Sequence, residues 1–335
     1  MADKKIELLQ NRFFDRIKDI IHPSVSLVNE IAEILELSSD SAYRRLRGET
    51  SLTIDEVSKL CNHFKVGFDI FSGQTGSVSF NFDQMHDIEG YRIYLNDILD
   101  TLINLAKSDN SELYYAAIDI PIFHHFNYPE LSAFKTFYWL HDILNEPTFE
   151  NLKFNKSLIP ADLIDIEKKI YKAYCQLPSI EIWTPATLNS SIAQIEFYHD
   201  SGLFENKEVA LMLCNQLEEE IKTIQKQAEL GAKNIENPIT DNFKLYYCEI
   251  EIGNNCILTK KADNKTVYLS FHTFNKLATV HTKFCDDTFK WLNNIIKKSS
   301  LISGVSEKQR YMFFKKVFEK ISKLKAKLEA IESQS

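Results

Sequence analysis

Residues 27–64 read LVNEIAEILELSSDSAYRRLRGETSLTIDEVSKLCNHF, and their spacing decides how the N-terminal part of the chain folds. Leu27, Val28, Ile31, Ala32, Ile34 and Leu35 recur at i, i+3, i+4 and i+7, which predicts a short helix with one apolar face. Leu37 carries that apolar surface through a tight polar break. Ser38 follows as an N-cap, its hydroxyl placed to accept an otherwise unpaired backbone N–H. The next helix is expected from about Ser39 to Arg47, with Ala42 and Leu46 inward and Asp40, Tyr43, Arg44 and Arg47 outward. Arg45 falls beside the inward face, so its stem is expected to pack while its head reaches solvent. Gly48 suits the C′ position that ends this helix. Thr53 and Glu56 form a capping box, with Leu52 and Val57 at the staple positions. They open a further helix carrying Val57, Leu60, Cys61 and Phe64. Two short helices around a tight turn, then a third, make the layout of a helix-turn-helix unit, whose second helix can enter a DNA groove.

On that second helix the residue types suit double-stranded DNA. Arg pairs bidentately with guanine, hydroxyls suit phosphate oxygens, and an acid can accept from a cytosine amine. The reading places Tyr43 and Arg44 at base edges, Asp40 at a cytosine amine, and Ser39 and Arg47 on phosphate. The alternative is a solvated face of an ordinary helical bundle. Overall charge gives DNA binding no support. The chain carries a formal net charge of −8, and its first 70 residues hold 10 Lys+Arg against 12 Asp+Glu. A local positive face at Arg44, Arg45 and Arg47, with Lys59 and Lys65 beside it, must therefore do the work.

The stretch resembles the lambda-repressor/Cro-like (XRE-type) DNA-binding domains. The matching residues are the Ile31-Ala32 helix, Leu37-Ser38 at the turn, Arg44, Arg47-Gly48-Glu49 and the trailing LTIDEVSKLCNHFKVGFDIF. The segment SDSAYRRLRGETSLT is similar to a bacterial group of regulators with the same domain. The resemblance covers roughly the first fifth of the chain and implies a transcription regulator that acts by occupying an operator. Two positions depart from the family. Glu36 stands where the family has Gly, so either Glu takes up that backbone or the turn is rebuilt. Arg45 replaces an apolar residue.

The 335 residues exceed the needs of one ordinary domain, and a content of 44% hydrophobic and 26% charged residues supports a substantial core. With 9 Gly and 8 Pro, long helices are favoured over a loop-rich β-sandwich. The N-terminus MADKKIELLQNRFFDRIK is amphipathic and mixed in charge, unlike a secretory signal. No apolar run approaches the ~20 residues a membrane span takes. Six dispersed cysteines without CxxC spacing fit reduced thiols in the cytosol. Of these, Cys248 and Cys256 flank an expected hairpin turn and are placed to face each other.

Residues 5–21 form an opening amphipathic helix with Ile6, Leu9, Phe13, Ile17 and Ile21 on one side. The expected organisation is a mainly α helix-turn-helix domain at 1–71, a linker at 72–82 containing SGQTGSVS, and an α+β domain at 83–335 that senses or oligomerises. Helices are expected at 87–107, 131–144, 160–176, 188–200, 206–230, 286–298 and 306–332. A strand is expected at 113–123. FKLYYCEIEI, CILTKK, TVYLSF and HTFNKLATVHT supply further strands, with turns at Gly253-Asn254-Asn255 and Asp263-Asn264. Together they predict an antiparallel sheet that recruits the 113–123 strand.

Other chemistry is weaker. His124-His125, with His141 near in sequence, are one metal candidate, but adjacent residues on a strand point to opposite faces. The i, i+4 pair His281 and Cys285 is another, with no second pair to accompany it. No GxSxG, P-loop or GxGxxG is present. Asp119 is expected on the polar face of its strand, and Asp286-Asp287 at a helix start. No enzyme, cofactor or metal is therefore expected. Nine aromatic residues crowd into 114–139, as core or as the lining of a small-molecule effector pocket. Phe314, Val317, Ile321, Leu324, Leu328 and Ile331 keep the a/d spacing of a coiled-coil seam, which serves either a homodimer or docking on the chain's own sheet. The reading is a DNA-binding transcription regulator with an effector or oligomerisation domain. Its rivals are a protein-interaction module whose helix-turn-helix has lost DNA binding, and an enzyme with an appended DNA-binding domain.

Overall fold

The computed structural model describes residues 9–20, 26–64, 66, 78–82, 85–108, 110–239, 241–271 and 275–330. Contacts divide the chain into two units, Met1–Phe82 with Ala278–Phe284, and Asp83–Leu277 with Cys285–Ser335.

The first unit contains α1 (Leu9–Ile20), α2 (Leu27–Ile34), α3 (Ser39–Leu46), α4 (Ile54–Phe64) and a two-residue strand, β1 (Asn81–Phe82). Its core is Phe13, Phe14 and Ile17 of α1 against Ile31, Leu35, Ala42, Leu60 and Val66. Each of the large side chains contributes about 1.5–3 kcal/mol on full burial. Phe14, off the expected stripe, is fully buried, whereas Leu9 is exposed. Ile6, Ile21 and most of the expected linker (72–77) lie outside the described residues.

Both turns of the helix-turn-helix are Schellman motifs. After α2, Leu37 N–H bonds to Ala32 C=O at 2.8 Å and Glu36 N–H to Glu33 C=O at 3.2 Å. After α3, Glu49 bonds to Arg44 at 2.9 Å and Gly48 to Arg45 at 3.0 Å. The left-handed C′ residue is Gly48 (φ 73°) in the second and Glu36 (φ 55°) in the first. Glu36 therefore adopts the backbone that glycine takes elsewhere, and the turn is kept rather than rebuilt. Ser38 Oγ accepts the Ser41 N–H at 3.3 Å. The capping box also forms: Thr53 N–H donates to Glu56 Oε2 at 2.8 Å, and Glu56 N–H to Thr53 Oγ1 at 3.2 Å.

The second unit is α+β with long helices around a sheet. Its strands are β2 (Ser111–Ala117), β3 (Ser179–Trp183), β4 (Phe243–Tyr247), β5 (Cys256–Lys261), β6 (Asn264–Phe271), β7 (Asn275–Thr279) and β8 (Ser300–Leu301). They lie in the order β7-β6-β5-β2-β3-β4-β8. The helices are α5 (Ile88–Ala106), α6 (Ile122–His125), α7 (Pro129–Tyr138), α8 (Ala161–Gln176), α9 (Asn189–Asp200), α10 (Lys207–Leu230), α11 (Thr282–Lys297) and α12 (Glu307–Ala330). The C-terminal end of α7 loosens into a π-turn at Trp139–Ile143.

The sheet recruits β2, as expected, through antiparallel pairing with β5. Its centre differs from the expectation. β2, β3 and β4 run parallel, joined by helical crossovers, and β3 has no counterpart among the expected strands. Parallel neighbours need such crossovers and are covered on both faces. SIEIW alternates in sequence, but its polar residues Ser179 and Glu181 are buried rather than turned to solvent. The hairpin expected around Gly253-Asn254-Asn255 does not form, because β4 and β5 are separated by β3 and β2. Cys248 and Cys256 are buried free thiols. The β5–β6 hairpin turns at Ala262-Asp263. The 113–123 strand ends at Ala117, and Ile122–His125 is helical.

The α12 seam is covered by its own chain. Phe314, Val317, Ile321, Leu324 and Leu328 are buried in the unit's core, and α12 packs along α10. Lys325 pairs with Glu218 of α10. Lys327 pairs with Glu196 at 2.6 Å and Asp200 at 2.9 Å. The seam docks within its own chain, as the second reading had it, but chiefly along α10 rather than on the sheet, so it is no surface for a homodimer. Ile331 lies outside the described residues. Among the described residues, no helix is long and apolar enough to cross a membrane.

Candidate nucleic-acid interface and ligand cavity

On α3, Ala42 is fully buried while Ser39, Asp40, Tyr43, Arg44 and Arg47 are all exposed on the outer side. The α3 face therefore brings together every residue assigned to DNA. Arg47 lies over the Tyr43 ring, 4.4 Å from its centroid, and donates to the Tyr43 hydroxyl at 3.1 Å. Glu49 stands near both arginines, 3.9 Å from Arg44 Nε and 3.7 Å from Arg47 Nη1. These exposed ion pairs are weak and easily exchanged for phosphate.

Arg45 does not send its head to solvent. Its Nη2 and Nε donate to Glu56 Oε1 at 2.7 and 3.0 Å, and the two side chains are only 15% and 16% exposed. Burial acts to raise the Glu56 carboxyl, but Arg45 and the Thr53 hydrogen bonds outweigh it and hold Glu56 below the usual carboxylate range. One acid thus caps α4 and ties α3 to it, which is why an arginine stands at a position that is apolar in the resembling family. From α1, Gln10 donates to the carbonyls of Arg45 and Thr50 at 2.7 and 2.8 Å and accepts the Leu52 N–H at 2.9 Å. No periodicity singles out Gln10, because its partners lie 35 to 42 residues away.

The second unit encloses a cavity of about 420 Å³. Its apolar wall is one row across the sheet, Tyr115, Ile257 and Tyr268, together with Ile98 and Leu102 of α5. It opens at the carboxyl end of β2, where the sheet changes from parallel to antiparallel pairing. Asp119 lies there, beyond the strand rather than on its polar face. Lys135 Nζ sits 3.8 Å from Asp119 Oδ2 and donates to Ser191 Oγ at 2.8 Å and Gln194 Oε1 at 2.7 Å. Burial pulls the Lys135 ammonium below its ordinary range.

His124 and His125 diverge to separate carboxylates. His124 Nε2 meets Glu181 at 2.9 Å, and His125 Nδ1 meets Glu220 at 2.8 Å. Glu181 also accepts from Trp183 Nε1 at 2.7 Å and from the Tyr174 hydroxyl. Burial holds His125 well below its usual range and pushes Glu220 up to about 8. Among the described residues, no group of three or more His, Cys, Asp and Glu side chains is arranged to hold a metal ion. His281 Nδ1 accepts the Phe284 N–H at 3.3 Å.

Of the aromatic block, Tyr115 and Phe123 line the cavity. Phe134 and Phe137 instead pack against Phe154 and Tyr198 in the core. Sequence reasoning missed Lys135, Glu181 and Glu220. Lys135 and Glu181 are lone charges inside otherwise apolar stretches, whereas Glu220 sits in the run Glu218-Glu219-Glu220 and nothing sets it apart. For none of the three does anything local name its partner.

The BetR domain family matches residues 7–97, a domain associated with helix-turn-helix-type regulators. The match begins before α1 and runs into α5. No curated protein and no solved structure matches the chain.

Proposed function

We propose that the chain is a sequence-specific transcription regulator of lambda-repressor/Cro-like kind, which acts by occupying an operator without chemical turnover. The observation that carries this reading is the outward set Ser39, Asp40, Tyr43, Arg44 and Arg47 on the second helix of a doubly capped helix-turn-helix. The BetR match over the same residues supports it. In this reading Tyr43 and Arg44 meet base edges, Asp40 a cytosine amine, and Ser39 and Arg47 phosphate. A single such unit spans few base pairs, so a cytoplasmic homodimer on two half-sites completes the proposal, through a surface other than α12. Residues 72–82 would join this DNA-binding domain to the sensor or oligomerisation domain.

The test is recovery of genomic DNA bound to the purified chain, followed by titration of variants on the recovered site. Arg44→Ala should cost about 1–3 kcal/mol at the cognate duplex and little on a scrambled one. Arg47→Ala should weaken both and flatten the salt dependence. If both variants keep wild-type affinity and salt slope, the docking face is wrong. A second reading, a protein-interaction module, draws on Glu49 beside both arginines and on the acidic balance of the first 70 residues. It predicts no recovered site at all.

A further inference from the structure

The cavity of the second unit has the size of a ligand pocket, within the roughly 300–1,000 Å³ such sites occupy. Its floor has one feature that core packing does not explain. His125 is 1% exposed, its Nδ1 faces Glu220, and its Nε2 has no hydrogen-bond partner. Buried polar atoms are nearly always paired, so an orphan calls for a reason. His125 is part of the cavity wall whereas Glu220 is not.

The floor also states the charge of what it would accept. The Lys135 ammonium is engaged by Ser191, Gln194 and Asp119. Asp119 Oδ1 accepts the Ile120 N–H at 2.9 Å, and Oδ2 keeps acceptor capacity beside a balanced pair of opposite charges. A carboxylate entering here would meet Asp119. An ammonium would meet Lys135, and also Lys276, whose Nζ lies 4.9 Å from the Tyr94 ring centroid in the cavity wall. Either would be desolvated without a free counter-charge, which is costly. An uncharged donor–acceptor group suits both open atoms.

We propose that this cavity binds a small, uncharged amphipathic molecule, its apolar body against the Tyr115–Ile257–Tyr268 row and α5, and its hydroxyl head bonded to His125 Nε2 and Asp119 Oδ2. The proposal is independent of the nucleic-acid reading, since it concerns the second unit alone.

Three probes share one body and differ in the head: 4-phenylbutanol, 4-phenylbutylamine and 4-phenylbutyrate. Titrated calorimetrically into the full chain, the alcohol should bind at least about tenfold more tightly than either charged probe, because only the charged heads carry an uncompensated desolvation cost. Ile98→Trp, which fills the cavity from α5, should abolish binding of the alcohol. Asp119→Asn keeps the acceptor for Ile120 but leaves Lys135 without its counter-charge, so 4-phenylbutyrate should overtake the alcohol. That inversion is not produced by a merely loosened fold, and circular dichroism checks that each variant is folded. Failure of all three probes to bind folded wild type overturns the proposal. So does equal affinity for the three heads, or an unchanged preference in folded Asp119→Asn.

Discussion

The two units solve the problem of burying polar groups in opposite ways. In the first, the core is apolar, and its most enclosed charges, Arg45 and Glu56, stay partly exposed and join neighbouring helices. In the second, Glu167, Glu181, Glu220, Lys135 and Lys233 all lie in the interior. Glu167 accepts from Tyr91, Ser132 and Thr136, at 2.9, 2.5 and 3.1 Å. Lys233 donates to Ser179 Oγ at 2.9 Å and to Leu177 C=O, and burial pulls it down to about 7. A helical bundle held by capping and apolar faces tolerates change one residue at a time. A core threaded by charges holds only while each has its partner, since a lone buried charge costs far more than the pair contributes.

The largest test of that contrast is Glu181→Ala. It leaves His124, Tyr174 and Trp183 without their acceptor and should cost about 3–5 kcal/mol in urea denaturation. A loss below about 1 kcal/mol, the range of an exposed pair, would erase the distinction between the units.

Next comes pH. Burial pushes the Glu167 carboxyl from 4.5 up to about 7 against its three hydrogen bonds. A folded pKa above the unfolded one means that its contribution is complete below about 4.5 and is lost as pH rises through about 7. Glu167→Gln should therefore remove on the order of 3 kcal/mol of pH dependence across that window. Glu220 adds a dependence of the same sign, which the variant retains. Parallel stability–pH curves for wild type and variant would refute the effect. Glu56, held low, works in the opposite direction, its contribution fading as pH falls.

Smaller again is Glu56→Ala in the first unit, which removes one cap bond and a partly exposed ion pair. The expected loss is about 1–2 kcal/mol, read by thermal denaturation. A loss as large as that of Glu181→Ala would show that the small bundle depends on this acid as the larger unit depends on its own. The smallest effect is a gain. Glu36 holds a left-handed backbone, so Glu36→Gly should stabilise by about 0.5–1 kcal/mol. A destabilised variant would mean that the Glu36 side chain makes up for its strained backbone.

The difference between the units is also a difference in legibility. Ser38, Gly48 and the Thr53–Glu56 box act over three to five residues, so their roles could be read from order alone. The long helices α5, α8, α9, α10 and α12 lie within a residue or two of where periodicity places them. The β3 strand was not read although SIEIW alternates, because it is only five residues long and its polar positions, Ser179 and Glu181, are buried among distant partners. Nor was the direction of β4 relative to β5, since a sheet neighbour is chosen by the crossover and not by the strand's own pattern. Within the site, Asp119 and the His124-His125 pair stood out as residue types. What they meet did not, because Glu181 and Glu220 lie 57 and 95 residues further along.

By itself, the sequence determined a capped helix-turn-helix with Tyr43, Arg44 and Arg47 outward, an α+β second region, and a long apolar-striped final helix. These are local properties, set by backbone hydrogen bonding and side-chain period within one or two turns. Only the tertiary structure decided that Arg45 belongs to Glu56, that the α12 seam is satisfied by α10, and that His125, its Nε2 unpaired, lines a cavity. Each of these depends on which distant groups meet in a space closed to water, and there the energy of a charge or an apolar stripe is set by its neighbours.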